Sequence, residues 1–352
     1  MKKSKKVIVA MSGGVDSSVA AALLKKEGFD VIGVFMKFWV ESAKNGLVCV
    51  VNSCCSPESE KRARLVAKKL EIPFYVFNFE KEFKNKVVDY FIKESKAGLT
   101  PNPCVICNKE IKFGLLLKKL LSLDAGYIAT GHYARIKEDK LFEGRDKTKD
   151  QSYFLWKLNQ KILKKTLFPI GDYKKSKVKK LAKKFDLPVV DIPESQEICF
   201  VQKTIADFLK RYLKTKPGKI IDNKSKIVGK HQGLWFYTIG QRKGIELSGG
   251  PYYVLEKDIK KNLLIVTKKE KDLYKKELIA KNVNWLSGKV PKLPLKAMAR
   301  IRYGHKLVSA IVVKHDKMYK VIFSSFQRAI TSGQSIVFYK NRQVLGGGII
   351  KR

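Results

Sequence analysis

The sequence predicts an α/β protein in which a parallel β-sheet domain is followed by a small β-rich domain and a C-terminal antiparallel β-barrel. Strand and helix patterns alternate up to about residue 205, which is typical of a parallel sheet covered by helices. Helical runs are few from Lys214 to Gly250. In the last part of the chain, apolar and polar residues alternate with the period of a strand, which favours a small barrel.

The N-terminal elements follow from apolar periodicity and from helix-start signals. Ser56 and Pro57 offer an N-cap and a favoured first helical residue. Because each helix separates two short apolar strands, the strands should lie parallel in one sheet. The predicted order is a strand at Val7 to Met11, a helix at Val15 to Lys26, a strand at Val31 to Phe38, a helix from Pro57 to Leu70 and a strand at Phe74 to Phe79.

The remaining elements divide the chain into three predicted domains. We expect a first domain at 1–205, a central connecting domain at 206–275 and a barrel at 276–352. The first domain continues with a helix at Lys86 to Lys96, a turn-rich segment at 98–103, a helix that ends near Leu121 and a strand at Tyr127 to Thr130. The predicted barrel strands are Ala297 to Tyr303, Ser309 to Val313, Tyr319 to Phe323 and Ile336 to Tyr339.

The bulk composition indicates a folded protein with a polyanionic partner. Hydrophobic residues make up 45% and charged residues 30% of the 352 positions, and no apolar run approaches the roughly 18 residues of a membrane span. We therefore expect a cytoplasmic protein with no membrane association. The formal net charge of +41 should attract nucleic acid through counterion release. Most of the basic residues are lysines, so a lysine-rich proteome would explain part of this charge without any binding role.

A glycine-rich loop, Ser12-Gly13-Gly14-Val15-Asp16-Ser17-Ser18, joins the first strand to the first helix. Its glycines let backbone N–H groups approach an anion, and the helix adds its positive N-terminal end. Asp16 suits an anion site if it helps to hold Mg²⁺. The loop lacks the lysine of a kinase-type P-loop. The alternative is a strand-to-helix turn that binds no ligand.

The cysteines fall into two groups. Cys104 and Cys107 lie between Pro103 and a predicted helix, whose positive end favours the thiolate, and Cys199 follows in a polar segment. Catalytic use, metal binding and simple burial are all open for these three. The other group is interpreted as incidental loop residues: Cys49, Cys54 and Cys55.

The motifs together resemble one family. The loop resembles that of the PP-loop ATP pyrophosphatases, which bind the β- and γ-phosphates of ATP there and transfer AMP. Further segments, in the same order along the chain, resemble the tRNA-specific 2-thiouridylases of the MnmA/TrmU family, whose first domain has a Rossmann-like, adenine nucleotide α-hydrolase-like sheet. These segments are 100–113, 129–135, 149–155, 168–171, 195–200 and 237–244.

The resemblance implies a sulfur-transfer reaction on the wobble uridine, position 34, of tRNA. ATP would adenylate O2 of the uracil, and a persulfide on Cys199 would replace that oxygen with sulfur, releasing AMP and pyrophosphate. Cys107 would be the second catalytic thiol and would form a transient disulfide with Cys199. A sulfur-relay donor protein or a cysteine desulfurase would load Cys199.

The resemblance also implies the site residues. The first domain would hold ATP and the barrel would contact tRNA. ATP would contact Ala10, Met11, Ser12, Gly13, Gly14, Val15, Asp16, Ser17, Met36 and Gly131. The target base would contact Asn102, Pro103 and Cys104. Other parts of the tRNA would contact His132, Lys149, Asp150, Gln151, Arg302, Tyr303 and Gln334.

Three alternatives stay open from the sequence. Some family members carry Asp in place of Cys104, where a carboxylate could serve as a base or orient the target base. Here Cys104, Cys107 and Cys199 could instead hold a [4Fe–4S] cluster with one iron open to bind sulfide. The chain could be another PP-loop enzyme that forms amides on a small metabolite. It could also be a non-catalytic RNA-binding protein that keeps an inactive nucleotide fold.

Overall fold

The computed structural model describes residues 5–42, 49–50, 56–190, 192 and 198–351. Cys54, Cys55 and the segment 193–197 of the last cysteine motif lie outside the described residues. Within the described residues, no helix is long and apolar enough to cross a membrane.

The first domain, together with α9 (Ile205–Tyr212) at the start of the central domain, contains all of the α-helices found in the described residues, and α9 packs on the core of the first domain. Its elements are β1 (Lys6–Ala10), α1 (Val15–Lys26), β2 (Asp30–Lys37), β3 (Glu41–Ser42), β4 (Cys49–Val50), α2 (Pro57–Lys69), β5 (Phe74–Asn78), α3 (Glu80–Phe83), a π-helical segment (Lys84–Val88), α4 (Asp89–Lys96), α5 (Pro103–Ile106), a second π-helical segment (Cys107–Phe113), α6 (Gly114–Ser122), β6 (Tyr127–Thr130), β7 (Ala134–Lys137), β8 (Lys140–Glu143), a 3₁₀ turn (Ser152–Leu155), α7 (Gln160–Leu163), β9 (Thr166–Leu167), α8 (Lys175–Lys184) and α9 (Ile205–Tyr212).

A five-stranded parallel sheet forms the centre of this domain, in the order β5-β2-β1-β6-β9. Ile8 of β1 pairs in register with Ile32 of β2 on one side and with Ile128 of β6 on the other. Helices cover the sheet, so β1 is buried on both faces and is apolar throughout its centre. The carboxyl ends of β2, β1 and β6 are therefore neighbours at one edge, where ligands bind in open α/β sheets.

The central domain is a small four-stranded sheet in the order β11-β10-β13-β12. Its core is correspondingly small and is built around Ile220, Val254, Leu264 and Val266, each fully buried. The elements are β10 (Gly218–Asp222), β11 (Ile227–His231), a 3₁₀ turn (Leu234–Phe236), β12 (Tyr253–Asp258), β13 (Leu263–Thr267) and a second 3₁₀ turn (Glu270–Leu273).

The C-terminal strands form a closed antiparallel barrel in the order β14-β17-β16-β15-β18-β19. Pairing of β19 with β14 closes it, so the barrel itself has no open edge. Alternate residues point inward, among them Val312, Val321 and Phe323. The strands are β14 (Tyr274–Trp285), β15 (Leu295–Arg300), β16 (Val308–His315), β17 (Met318–Arg328), β18 (Ser335–Lys340) and β19 (Gln343–Lys351). The predicted fold class is confirmed.

The barrel is docked on the first domain. The β7–β8 hairpin extends the barrel sheet, with Phe142 opposite Gln343 of β19. Arg300 of β15 reaches Glu143 and Asp150, each at 3.2 Å, and all three side chains are almost inaccessible to solvent. A shared apolar core that includes Trp156 lies beneath these ion pairs. Residues of the first domain and of the barrel can therefore line one site.

Two local predictions were wrong. The predicted strand at Ala297 to Tyr303 ends at Arg300, where the buried ion pairs to the first domain begin, so Arg302 and Tyr303 lie in the following turn. The helix expected after Pro103 is interrupted by the π-helical segment Cys107–Phe113. Apolar periodicity does not distinguish such a segment from an α-helix, and π-helical turns are frequent at functional sites.

Candidate active site

The glycine-rich loop presents the N-terminal end of α1. Gly14 is the N-cap residue and makes no side-chain cap. Ser17 and Ser18 donate their hydroxyl hydrogens back to the Gly14 carbonyl, at 3.1 and 2.9 Å, and the Ser12 N–H donates to Ser17 Oγ at 3.1 Å. The serines thus hold the loop in shape. The first N–H groups of a helix have no intrahelical acceptor, so this end suits phosphate oxygens.

Helix α2 supports the loop from one side. Gly13 has a φ of +73°, and a Cβ added there would lie 2.2 Å from the Ser59 carbonyl oxygen, so only glycine fits. Arg62 donates from Nε to the Gly13 carbonyl at 3.2 Å and from Nη2 to Ser59 Oγ at 2.7 Å. The sequence reasoning missed Arg62, because 49 residues separate it from its partner in the loop.

Asp16, in the first turn of α1, accepts two hydrogen bonds on one oxygen. Lys175 Nζ and the Tyr133 hydroxyl each donate to its Oδ1, both at 2.7 Å. The other oxygen of this carboxylate, Oδ2, is a hard ligand of the kind that Mg²⁺ prefers. Asp16 therefore offers one ligand to a Mg²⁺ ion whose other ligands would come from a bound polyphosphate and water. The sequence reasoning assigned no role to Lys175 or to Tyr133, although Tyr133 lies within the segment 129–135 that resembles the family.

The predicted adenine contacts lie at the same edge of the sheet. Met36 is the next-to-last residue of strand β2 and is 8% exposed. Gly131 follows β6, and an added Cβ there would lie 2.7 Å from the backbone nitrogen of Ser17. This close approach requires glycine and packs the end of β6 against the start of α1. The structure therefore brings Met36, Gly131 and the loop around one edge, as the strand order requires.

The cysteines of the two motifs lie in the first domain. Cys107 starts the π-helical segment and is 7% exposed, whereas Cys104 is half-buried in α5. Half-buried Cys199 packs against the same apolar core that contains Cys107. The neighbouring Phe200 ring anchors this segment, with its centroid 5.5 Å from that of Phe91 and 5.2 Å from that of Phe208.

The three cysteines do not form a metal-ligand set. Across the described ranges, which include Cys104, Cys107 and Cys199, no three His, Cys, Asp or Glu side chains are arranged to hold a metal ion.

The predicted base-contacting segment is held by the barrel. Gln334 donates from Nε2 to the Thr100 carbonyl at 2.9 Å, and the Thr100 N–H donates to the Ser332 carbonyl at 2.9 Å. Between them, Gly333 has a φ of +93°, and an added Cβ would lie 2.9 Å from both Leu99 Cβ and the Thr100 nitrogen. This turn of the barrel therefore fixes the segment that leads into Asn102 and Pro103.

A half-buried arginine and an aromatic pair adjoin this clamp. Arg302 donates from Nη2 to Thr331 Oγ1 at 3.2 Å, and burial lowers the pKa of its guanidinium. The Tyr303 ring is 40% exposed, and its centroid lies 4.5 Å from that of Phe154. Asn108, next to Cys107, donates to the Phe154 carbonyl at 3.3 Å. The π-helical segment that starts at Cys107 is thus connected to an aromatic surface on which unstacked bases can stack.

Four other predicted tRNA contacts are less accessible. His132 is 8% exposed, with its Nδ1 2.7 Å from Thr130 Oγ1. Burial, with a further contribution from Lys112, holds the pKa of His132 well below its usual value, so its imidazole is neutral. Asp150 is 2% exposed and bonds to Arg300, and Gln151 accepts the Tyr133 N–H at 3.0 Å. Lys149 is half-buried.

Three protein-family models match consecutive parts of the chain. They are described as the tRNA methyl transferase HUP domain, over residues 5–203, the tRNA methyl transferase PRC-barrel domain, over 206–268, and the aminomethyltransferase beta-barrel domain, over 275–350. Together they span all three structural units.

Full-length relatives are also similar. The tRNA-specific 2-thiouridylase MnmA of Clostridioides difficile is 46% identical over 100% of this chain and 99% of its own length. The protein of the same name from Carboxydothermus hydrogenoformans is 46% identical over 99% of this chain and 98% of its own. That of Buchnera aphidicola is 44% identical over 100% of this chain and 98% of its own.

Proposed function

The chain belongs to the tRNA-specific 2-thiouridylase family, and from this premise we propose that it uses ATP to exchange O2 of the wobble uridine, position 34 of tRNA, for sulfur. One observation carries the proposal. A helix end suited to phosphate and two motif cysteines lie in one domain, around one apolar core. The formal charge of +41 suits a tRNA partner, and the cytoplasm is where we expect the two to meet.

ATP is the first substrate to be bound. Its phosphates accept hydrogen bonds from the loop, from Ser12 to Ser17, and its adenine lies between Met36 and Gly131 at the edge of the sheet. Ala10 and Met11 support the loop from the end of β1. Asp16 Oδ2 is the oxygen that would hold Mg²⁺, which neutralises phosphate charge when bound.

The tRNA presents an extruded uracil to the segment from Asn102 to Cys104, since the base must leave its stack to expose C2. Arg302 pairs with phosphate and Tyr303 stacks on a neighbouring base. Gln334 holds the segment in place through Thr100. Lys149 contacts the backbone, whereas the internal bonds of His132, Asp150 and Gln151 keep that contact surface in position.

Activation is followed by sulfur transfer. Uracil O2 attacks the α-phosphorus of ATP, a new P–O bond forms, and pyrophosphate leaves with the electron pair of the broken bond. The terminal sulfur of a Cys199 persulfide then attacks C2, and AMP departs with its oxygen. The Cys107 thiolate next attacks Cys199 Sγ, which forms a disulfide between the two cysteines and releases 2-thiouridine. A dithiol reductant reopens the disulfide, and a sulfur-relay protein or a cysteine desulfurase reloads Cys199.

The test uses the full chain with ATP, Mg²⁺, a persulfide donor and unmodified tRNA. Mass spectrometry of the digested nucleosides should detect 2-thiouridine, with AMP formed in step. Cys199→Ser should abolish 2-thiouridine, by at least about 10³-fold, because the sulfur carrier is absent. Asp16→Ala should stop AMP formation while tRNA binding persists.

Two outcomes contradict the proposal. Full turnover by the Cys199→Ser variant would favour an amide-forming adenylating enzyme. Normal RNA-dependent function of the Asp16→Ala variant would favour a non-catalytic RNA-binding protein. The wild-type chain assayed without tRNA is the control for AMP formed by adventitious hydrolysis of ATP.

A further inference from the structure

A pair of phenylalanine rings connects the chain next to Cys199 with helix α9. Phe200 follows Cys199 directly and is buried, and its ring packs edge-to-face against the buried ring of Phe208, with 5.2 Å between the centroids. Close-packed rings transmit a shift of one element to the other, because no free space lies between them. A displacement of α9 therefore moves the backbone that carries Cys199.

One carboxylate anchors the last turn of α9. Glu41 of β3 accepts two parallel hydrogen bonds from Arg211, from Nε to Oε1 at 2.9 Å and from Nη2 to Oε2 at 2.7 Å. The Tyr212 hydroxyl donates a third bond to Oε1 at 2.8 Å. Arg211 Nη1 also donates to the Asp207 carbonyl, one turn earlier in the same helix, at 3.2 Å. This bidentate geometry fixes both the distance and the orientation of α9 relative to β3.

The Glu41–Arg211 pair differs from an ordinary surface ion pair. Exposed pairs contribute little, because water screens them. The Glu41 side chain is only 14% exposed, and its partner lies 170 positions away in the chain. The guanidinium carbon of Arg211 also lies 5.4 Å from the centroid of the Phe208 ring. The group that binds Glu41 therefore lies against the same ring that packs on Phe200.

Glu41 is itself tied to the edge of the sheet where we place the adenine. It follows the end of β2 by four positions. Between them, Phe38 is buried and stacks on Phe83, with 4.8 Å between the ring centroids. The Phe83 ring also packs edge-to-face against that of Phe200, at 6.0 Å. The carboxylate thus has a fixed position relative to the sheet, and it holds α9 there.

We infer that Glu41 is a positioning residue for sulfur transfer and acts on Cys199 through Arg211 and α9. The inference rests on the proposed function. Adenylation uses the phosphate loop and the sheet edge, whereas sulfur transfer also requires the Cys199 persulfide to be aligned with C2 of the adenylated uracil.

A displaced persulfide leaves the activated uracil to water. The water oxygen bonds to C2, its proton passes to solvent, and AMP departs with the original O2, so that uridine is regenerated. Each such event consumes ATP and yields AMP without 2-thiouridine. Loss of the Glu41–Arg211 pair therefore separates the formation of the two products.

The test measures both products of the full chain with ATP, Mg²⁺, a persulfide donor and unmodified tRNA. Glu41→Gln removes the charge and one of the two acceptor oxygens. It should raise the ratio of AMP to 2-thiouridine by at least about fivefold, because misalignment of about 1 Å costs a reacting group about 10²-fold in rate. Pyrophosphate release in the first turnover should stay within about twofold of wild type, since the ATP site is unchanged.

Two further variants accompany this measurement. Arg211→Lys keeps the charge and loses the planar fork, so its ratio should lie between those of wild type and Glu41→Gln. Glu277→Gln is the matched control. It removes the carboxylate of an ion pair between two barrel strands, where Lys320 Nζ lies 2.8 Å from Glu277 Oε2, and should leave the ratio unchanged.

The outcomes are separable. If wild type forms no 2-thiouridine, the proposed function fails and the inference fails with it. If wild type forms it and Glu41→Gln has the wild-type ratio, only the inference fails. A parallel fall of AMP and 2-thiouridine at an unchanged ratio means that Glu41 serves folding in general, which also overturns the inference.

Tyr212→Phe decides the case in which the Glu41→Gln chain loses its cooperative thermal unfolding. It removes one of the three bonds to Glu41 and keeps the ring, whose centroid lies 5.0 Å from that of Phe208. Its ratio of AMP to 2-thiouridine should rise about twofold, as expected for one hydrogen bond. A wild-type ratio in this variant would overturn the inference.

Discussion

The phosphate loop and the base-contacting segment are built in opposite ways. The loop is a contiguous run, Ser12 to Ser18, whose bonds are mostly between residues three to five positions apart. The base-contacting segment is shaped by Gln334, which lies 234 positions from its partner Thr100. The first region therefore depends mainly on bonds within one strand, loop and helix, which α2 supports through Arg62. The second exists only while the barrel is docked on the first domain.

This comparison indicates how each region can fail. A change in the loop should remove ATP chemistry and leave the barrel intact, whereas a change in the barrel turn should weaken tRNA use and leave ATP chemistry intact. The neutral His132 follows Gly131, and its ring centroid is 5.8 Å from that of Phe113, the last residue of the π-helical segment that starts at Cys107. Substitutions at the three places therefore separate the two regions.

The largest effect is expected from Gly13→Ala. Its Cβ would lie 2.2 Å from the Ser59 carbonyl oxygen, and its φ of +73° is strained for alanine by about 1–2 kcal/mol. The loop or α2 must shift, and a displacement of about 1 Å in a reacting site costs about 10²-fold. AMP formation should fall by at least that factor, measured with saturating tRNA.

Gly14→Ala is the matched control for stability. A Cβ at Gly14 meets only Ser12 Oγ, at 3.6 Å, and the Gly14 φ is −100°, which alanine adopts. Its free energy of unfolding in urea should stay within about 0.5 kcal/mol of wild type. Equal unfolding free energies for the Gly13→Ala and Gly14→Ala variants would contradict the close approach of α2 to the loop.

Gly333→Ala should have an intermediate effect, and on the other region. The added Cβ would press on Leu99 and Thr100, so the segment leading to Asn102 must move. We expect the KM for tRNA to rise about tenfold, equivalent to about 1.4 kcal/mol, with the KM for ATP unchanged. Steady-state kinetics with each substrate varied in turn measures both values.

Gly288→Ala is the control that distinguishes backbone strain at a positive φ from a clash of the added Cβ with its neighbours. Gly288 also lies in the C-terminal domain, with a φ of +76°, but nothing lies within 4 Å of its added Cβ. It should lower stability slightly and leave both KM values unchanged. A rise in the KM for ATP in the Gly333→Ala variant would show that the two regions are not separable.

The smallest effect is expected at His132, and it is an effect of pH on the free energy of unfolding. Burial holds the pKa of the folded-state imidazole well below 6.5, while the unfolded chain takes up a proton as the pH falls through 6.5. The unfolded state then binds more protons, so stability is lost toward acid, at no more than about 1.4 kcal/mol per pH unit. His132→Asn keeps a partner for Thr130 and cannot titrate. Between pH 7.5 and pH 5, its free energy of unfolding should therefore fall by about 1–2 kcal/mol less than that of wild type.

Urea unfolding at the two pH values measures this difference. The control is His315→Asn, at an exposed position of β16, which should lose as much stability as wild type toward acid. Should the His132→Asn variant lose as much stability as wild type, the imidazole is not a neutral buried group in the folded protein.

The parts that the sequence predicted well are those encoded by neighbouring residues. The strand, loop and helix around Gly13 and Gly14 follow from a short apolar run, two glycines and helical spacing, and the closed barrel follows from strand alternation. The parts that it missed depend on distant partners. No role was assigned to Lys175 from the sequence, because periodicity contains no information about Asp16, which compensates for its burial.

Burial was the other quantity that the sequence did not predict. Asp150 is in a polar segment and was expected at the tRNA surface, yet Arg300 of the barrel covers it. Arg302 and Tyr303 were placed on a strand that ends before them. In both cases the barrel decides the outcome, because its docking determines which polar side chains keep access to solvent.

The glycine-rich loop and the cysteine motifs, and with them the family and the chemistry expected of it, were determined by the sequence alone, because residue type and spacing over a few positions specify them. Only the tertiary structure decided that Lys175 and Tyr133 share one oxygen of Asp16 and that Gly333 and Gln334 hold the base-contacting segment. The physical reason is range. Local backbone preferences act between neighbours, whereas an ion pair or a packing contact requires the whole chain to bring its partners together.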